Sequence, residues 1–234
     1  MKNKIKWLGH AAFEITTSRK KRILIDPWIT GNPLCPVQVE EVAAPDLVLV
    51  THDHHDHYGE DLPVLLAAGK GTLVGQPEVM AAAQKDGVDA DRIVTGGSGM
   101  NIGGTVEVDE IKVTMTQAVH SSRQAGSPCG FILTLEDETV IYHAGDTGIF
   151  ASMELFGRLY DIDVALLPIG SVFVMDARQA AFALRLLQPK TAVPMHYLTF
   201  PALEQNADRF IAAAAELAPQ VKIEALQPGE QLLV

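Results

Sequence analysis

The stretch DLVLVTHDHHDHYGED, residues 46–61, constrains this chain more than any other. Its first half is an unbroken apolar run of strand length, the pattern of a strand covered on both faces. Its second half crowds four histidines among carboxylates where a plain turn would need none. A strand buried on both sides requires a sheet with layers above and below it. A loop so rich in imidazole requires that the sheet hold it still. The surrounding chain must therefore supply a layered α/β architecture and further polar groups that converge on that loop.

The order of elements meets the first demand. Ahead of the run, IKWL, AFEITT and RILIDP read as a meander of short strands, broken at Gly9 and at the basic turn Ser18 to Lys21. Behind it, residues 61–68 read as a short helix, TLVG as a strand, and residues 77–85 as a second helix with Pro77 in its first turn. TVEVDEIKVTMTQAVH and FILTLEDETVIYHAGD read as hairpins turning near Asp109 and at residues 136–138. Alternation then resumes with a helix at about residues 150–159, strand DVALLPIG, and a helix at 177–187 capped by Asp176. Strand TAVPMHY, a helix at 202–217 and short strands in VKIEAL and QLLV complete the chain. This order predicts an α/β (α+β) fold of two mixed β-sheets facing each other with helices outside, in one domain spanning residues 1–234.

Composition narrows the partners. Lys and Arg total 18 against 29 Asp and Glu, and the formal net charge of -11 repels phosphate backbones and anionic membranes. A small-molecule substrate is expected; large nucleic acids and membranes are not. No stretch approaches the roughly 20 apolar residues of a membrane span, and MKNKIKWLGHAAFEI holds no apolar run of signal-peptide length, which points to the cytoplasm. Cys35 and Cys129 lack CxxC spacing, so neither a thiolate knuckle nor a disulfide framework is expected. Apolar segments such as SVFVMDARQAAFALRLL and FIAAAAELA suit either a core or a subunit interface, which leaves a homo-oligomer open.

Residues 52–57 spell H-x-H-x-D-H. In a loop leaving a strand, His52 and His54 can converge on one ion while Asp56 and His57 turn towards a second. Three more strand ends carry candidates: His120 closing TQAVH, Asp146 in YHAGDT and His196 in VPMHY. A lone histidine at a strand end is more often a hydrogen-bonded structural residue than a ligand. Seven such groups at the C-terminal edges of strands, where α/β sheets place their sites, are a cluster.

With LGHAAF, LIDPW, THDHHDH, the AVHSS segment, YHAGDTGIF, ALLPIG and PMHYLTFP in that order, the chain resembles the metallo-β-lactamase superfamily of metal-dependent hydrolases. More narrowly it is similar to a branch of predicted hydrolases related to the ascorbate-6-phosphate lactonases. The resemblance spans nearly the whole chain and implies the four-layer αβ/βα sandwich. It implies a first metal held by His52, His54 and His120, a second held by Asp56, His57 and His196, and Asp146 bridging the two. The cofactors would be two divalent ions, zinc foremost, with manganese, iron, cobalt or nickel suiting the same donors.

The resemblance also assigns the groups around the metals. Asp26, in LIDPW, falls at the superfamily's first-motif aspartate, a carboxylate that orients ligand imidazoles. His10 falls near the site mouth, where substrate contact or proton transfer competes with a satisfied turn histidine. Asp56, His196 and His10 are thus the expected catalytic groups. Tyr197, directly after a ligand, suits either an oxyanion hydrogen bond or packing against the site wall. His143 lies three residues before Asp146 in one strand, so it is expected on the opposite face as a buried supporting histidine. His55 is expected to point outward. In Gly170–Met175, relatives carry a more polar stretch with an acidic residue; Ser171 and Val172 stand there instead, which sets substrate specificity apart.

The expected function is binuclear metal-dependent hydrolysis, with a metal-bridging hydroxide attacking an ester or lactone. A phosphodiesterase or nuclease acting on small or cyclic nucleotides is the alternative with the same site. A non-catalytic metal-binding scaffold is the alternative from another class, disfavoured because all seven ligands are present.

Overall fold

The apolar run of residues 46–50 sits inside a six-stranded sheet of the computed structural model, which describes residues 2–124 and 126–234. Strands β1 (Lys4–Trp7), β2 (Phe13–Thr16) and β3 (Arg22–Ile25) form an antiparallel meander, and β4 (Leu47–Leu49) and β5 (Thr72–Val74) extend it in parallel. Period-two alternation divides the side chains between two cores. Ile23, Ile25, Leu47 and Leu49 join the core between the sheets, whereas Leu24 and Val48 join a second core outside. After the single turn α1 (His55–Tyr58), helices α2 (Leu62–Ala67) and α3 (Pro77–Lys85) close that outer core with Leu62, Leu65, Leu66, Val79 and Met80.

The second sheet has seven strands. Strands β6 (Thr105–Val108), β7 (Ile111–Gln117), β8 (Cys129–Thr134) and β9 (Val140–His143) are antiparallel, and β10 (Val164–Pro168), β11 (Thr191–Met195) and β12 (Lys222–Ile223) continue from β9 in parallel. Helices α4 (Met153–Leu159), α5 (Ala177–Leu187) and α6 (Asp208–Leu217) accompany this sheet, and β13 (Gln231–Leu233) returns to pair with β1. Ile5, Trp7 and Phe13 from one sheet and Val113, Met115 and Phe131 from the other share one buried core. This is the expected pair of mixed sheets flanked by helices. Among the described residues no helix is long and apolar enough to cross a membrane.

Asp176 caps α5 as its position predicts. Its carboxylate accepts from Gln179 N at 2.7 Å, and the Gln179 side chain accepts from Asp176 N at 3.2 Å, a reciprocal capping box. Asp176→Ala is expected to lower stability by about 1 kcal/mol, read as an earlier urea midpoint at unchanged slope.

Several boundaries differ from expectation; the helix expected from about residue 150 begins at Met153, and strand TAVPMHY ends at Met195. The helix expected at 202–217 begins only at Asp208, because Gln205 Nε2 donates to the Phe200 and Leu203 carbonyls and the Asn206 side chain accepts from Asp208 N. Side chains that bond to the backbone there compete with helix formation. VKIEAL pairs only at Lys222 and Ile223. Strand β7 ends at Gln117, so His120 lies in the following loop rather than closing the strand.

Candidate metal centre

Every candidate donor lies just beyond a strand. The chain leaves β4 through Val50 and Thr51, presents His52 and His54, and winds into α1 with Asp56 and His57. His120 follows β7, Asp146 follows β9 and His196 follows β11 directly. Asp146 is where these tips meet. Its Oδ2 lies 3.2 Å from His57 Nε2, 3.5 Å from His120 Nε2 and 3.0 Å from His196 Nε2. His54 Nδ1 lies 3.0 Å from His52 Nε2 and 3.4 Å from His120 Nε2. The donors form two clusters, His52–His54–His120 and His10–Asp56–His57–His196, and in each cluster the donor atoms lie within 4.8 Å of one another. His52, His57 and Asp146 form a third such group that joins them.

Backbone conformation sets these positions. His10, Asp26 and His196 have φ of 54°, 46° and 56°, the left-handed region that costs a side-chain-bearing residue roughly 1–3 kcal/mol. Such strain persists only where surrounding contacts enforce it; here His196 N donates to His10 O at 3.0 Å. Gly145, at φ 61°, has no room for a Cβ, which would lie 2.2 Å from Cys129 O. That close approach brings Asp146 into the cluster.

Supporting hydrogen bonds fix the imidazoles. The Asp26 carboxylate accepts from Thr51 N at 2.8 Å and Thr51 Oγ1 at 2.7 Å, and lies 2.8 Å from His57 Nδ1. His57 therefore presents Nε2 to Asp146 with its other nitrogen committed to a carboxylate, the arrangement that orients metal-binding histidines. Asp26→Asn is expected to weaken metal binding by about 10- to 100-fold in a competitive chelator titration while leaving circular dichroism unchanged. Asp53 accepts from Arg123 N and Gln124 N at 2.6 Å each, tying the loop after His120 to the histidine run.

Burial and mutual charge set the protonation states. Burial, reinforced by His57, lowers the His52 pKa to about 3, and burial with His196 lowers that of His10 to about 4. Burial also lowers His120. These rings are neutral at pH 7 and offer lone pairs. Burial alone would raise Asp146 and Asp56, but His196 and His57 hold the first well below the carboxylate range, and His10 and His57 lower the second. Burial opposes a charge on His57, yet Asp146 and Asp26 raise it well above the usual imidazole value. A divalent cation at Nε2 would take the place of that proton between the two carboxylates.

The donor set fits metal ions. His57 Nε2, His10 Nε2 and Asp146 Oδ1 are buried and lack a hydrogen-bond partner of acceptable geometry. Buried polar atoms are normally satisfied, and His10 and His57 belong to one group whose donor atoms lie within 4.8 Å of one another, so their unpartnered nitrogens mark a place for a charge. The His10 ring spans two neighbours, with Nδ1 2.9 Å from Thr199 Oγ1 and Nε2 3.2 Å from Asp56 Oδ2. Neutral imidazole and carboxylate together suit zinc, iron or manganese alike.

The structure thus gathers all seven expected ligands and His10, and places Asp26 behind His57. It does not bring Tyr197 to the site. Tyr197 turns away, stacks on Trp7 at 5.2 Å and donates its hydroxyl to Leu226 O at 3.4 Å, so it offers nothing to a substrate. Of the two roles expected for it, packing is the one these contacts match. His143 is buried and bonds Ala11 O and Gly145 N, supporting the backbone beside Asp146 rather than any ligand ring. His55 is exposed at the rim. Thr51 and Thr199 were not singled out from sequence; Thr51 lies inside the histidine motif, whereas no local pattern marks Thr199.

Comparison with known proteins agrees with this geometry. Residues 21–197 match the family model for the beta-lactamase superfamily domain. A UPF0173 metal-dependent hydrolase of Nitratidesulfovibrio vulgaris is 48% identical over 234 residues, covering 99% of this chain and 95% of that protein. One from Caldivirga maquilingensis is 49% identical over 230 residues, covering 97% and 96%. The structure of Igni18, a metallo hydrolase from the hyperthermophilic archaeon Ignicoccus hospitalis, superposes with a TM-score of 0.88 at 36% identity, covering 100% of this chain and 99% of that one. The chain belongs to the beta-lactamase superfamily and is one of its metal-dependent hydrolases.

Proposed function

We propose that this hydrolase is binuclear and acts on an ester or lactone. The observation that carries the reading is the shared Asp146: two donor clusters meet at one carboxylate on the floor of a cavity of about 400 Å³. His52, His54 and His120 would hold one divalent cation, Asp56, His57 and His196 the other, with Asp146 common to both. When bound, such a pair supplies hydroxide near neutral pH and neutralises charge developing on the attacked group.

The chain's own residues do the rest. Asp26 and Thr51 keep the His57 ring in place, and Gly145 lets Asp146 reach both clusters. His10, buried between Asp56 and His196 and neutral at pH 7, is the chain's candidate for passing a proton towards the leaving oxygen. The cavity wall is protein rather than open solvent, so electrostatic interactions within it are stronger than in water.

The test is elemental analysis of untagged protein together with a hydrolysis screen of lactones, phosphodiesters and amides. Two equivalents of metal and lactone or ester turnover are the expected result. Two equivalents with phosphodiester turnover alone would transfer the assignment to a phosphodiesterase acting on small or cyclic nucleotides. Bound metal with no turnover of any of these substrates would point to a non-catalytic metal-binding scaffold.

A further inference from the structure

Two cavities meet at the mouth of the site. The first, of about 400 Å³, has Phe173 and Phe200 as walls above His120, Asp146 and His196. The second, of about 580 Å³, is lined by Trp28, Thr30, Pro33 and Glu60, and shares His55 and Phe200 with the first. Together they make a groove that starts over the donor clusters and runs out beside Trp28.

The aromatic side chains of this groove are held in place. Trp28 stacks on Phe200 at 6.1 Å and 24°, and meets His10 and His55 edge-on at 5.5 and 5.7 Å. Phe173 is 57% exposed at the tip of a tight turn. Within that turn Ser171 N donates to Met175 O at 3.1 Å and Val174 N to Ser171 O at 2.9 Å, while Met175 N donates to Thr147 O at 3.0 Å, next to Asp146. Ser171 adopts φ 76°, a left-handed conformation that a serine takes only at a cost. A strained turn that holds a large apolar ring in water directly over a reaction centre has a physical reason if that ring packs on a substrate.

Charge narrows the class further. Among the described residues lining the two cavities none is Lys or Arg, and Glu60 stands in the outer one. A phosphate carried away from the reacting centre would need Arg, Lys or a cluster of backbone N–H groups to hold it. In this groove it would meet aromatic faces and a carboxylate.

Resting on the ester or lactone reading above, we propose that the substrate is uncharged and carries an apolar arm that lies between Phe173 and Phe200 and runs towards Trp28. The reaction balances with water alone. The water oxygen bonds to the acyl carbon, the acyl C–O bond breaks with its electron pair on the leaving oxygen, and that oxygen takes a proton, giving an acid and an alcohol, or a hydroxy acid from a lactone.

The experiment uses the full chain loaded with zinc and p-nitrophenyl acetate, butanoate and hexanoate, with an alkyl-substituted lactone and a phosphorylated sugar lactone in parallel. We expect kcat/KM to rise about two- to fourfold per methylene, the range that follows from moving a CH2 out of water. Phe173→Ala should reduce the hexanoate-to-acetate ratio by about fivefold or more. The alkyl lactone should outrun the phosphorylated one. A flat or falling series, a ratio unchanged in Phe173→Ala, or preference for the phosphorylated lactone overturns this inference and leaves ester hydrolysis standing. Turnover of no ester or lactone by protein holding two metal equivalents overturns the parent reading as well.

Discussion

Asp146→Asn is expected to lower kcat/KM by about 10³-fold or more and, on the binuclear proposal, to reduce bound metal to one equivalent or fewer. The Asp146 carboxylate approaches His57, His120 and His196 within 3.5 Å and so touches members of both clusters. An amide of the same shape keeps the contacts but removes the charge, and several kcal/mol of lost charge stabilisation corresponds to a rate loss of that order. The fold should survive, because Gly145 and Thr147 hold the turn through backbone and hydroxyl contacts that do not involve the carboxylate. Elemental analysis, ester hydrolysis and circular dichroism on the same preparation decide the matter. A variant that keeps two metal equivalents and a tenth or more of the activity, roughly, would falsify the bridging assignment.

Stripping divalent cations with a chelator should lower Tm by about 10 °C. Donors numbered from 10 to 196 converge only in the folded chain, so cations bound there stabilise the native state selectively. A ligand present at about a thousand times its Kd contributes roughly 4 kcal/mol, and in a chain of this size each kcal/mol moves Tm by roughly 2–4 °C. The drop should reverse on adding zinc and should be smaller in Asp146→Asn. A melting curve that moves by less than about 2 °C, for protein whose metal content has been shown to fall, would remove the clusters from the list of stabilising features.

What could be read from the sequence followed the range of each signal. H-x-H-x-D-H is local, and the buried strand before it fixes where the motif sits; strand ends made His120, Asp146 and His196 candidates, and the family resemblance joined them to it. Asp26 was legible through the resemblance, because LIDPW falls at the superfamily's first-motif aspartate. For Tyr197 the sequence left an oxyanion contact and packing both open, because the choice depends on where Trp7 and Leu226 lie, which only tertiary structure decides. The late start of α6 had a similar cause: Gln205 and Asn206 bond to the backbone in a way no apolar periodicity records. The aromatic walls were invisible for a different reason. Trp28, Phe173 and Phe200 come from three unrelated segments, and only tertiary packing makes them neighbours.

Neither sheet owns a complete set of donors. His10, His52, His54, Asp56 and His57 come from the first, and His120, Asp146 and His196 from the second. The two are stitched at that edge by Cys129 N to Thr51 O at 3.1 Å and His196 N to His10 O at 3.0 Å. The reaction centre is therefore a seam. Heat or denaturant that lets the halves part by an ångström or so should silence the enzyme while each half keeps its own strands. Activity should accordingly fade at a lower temperature than the far-ultraviolet signal.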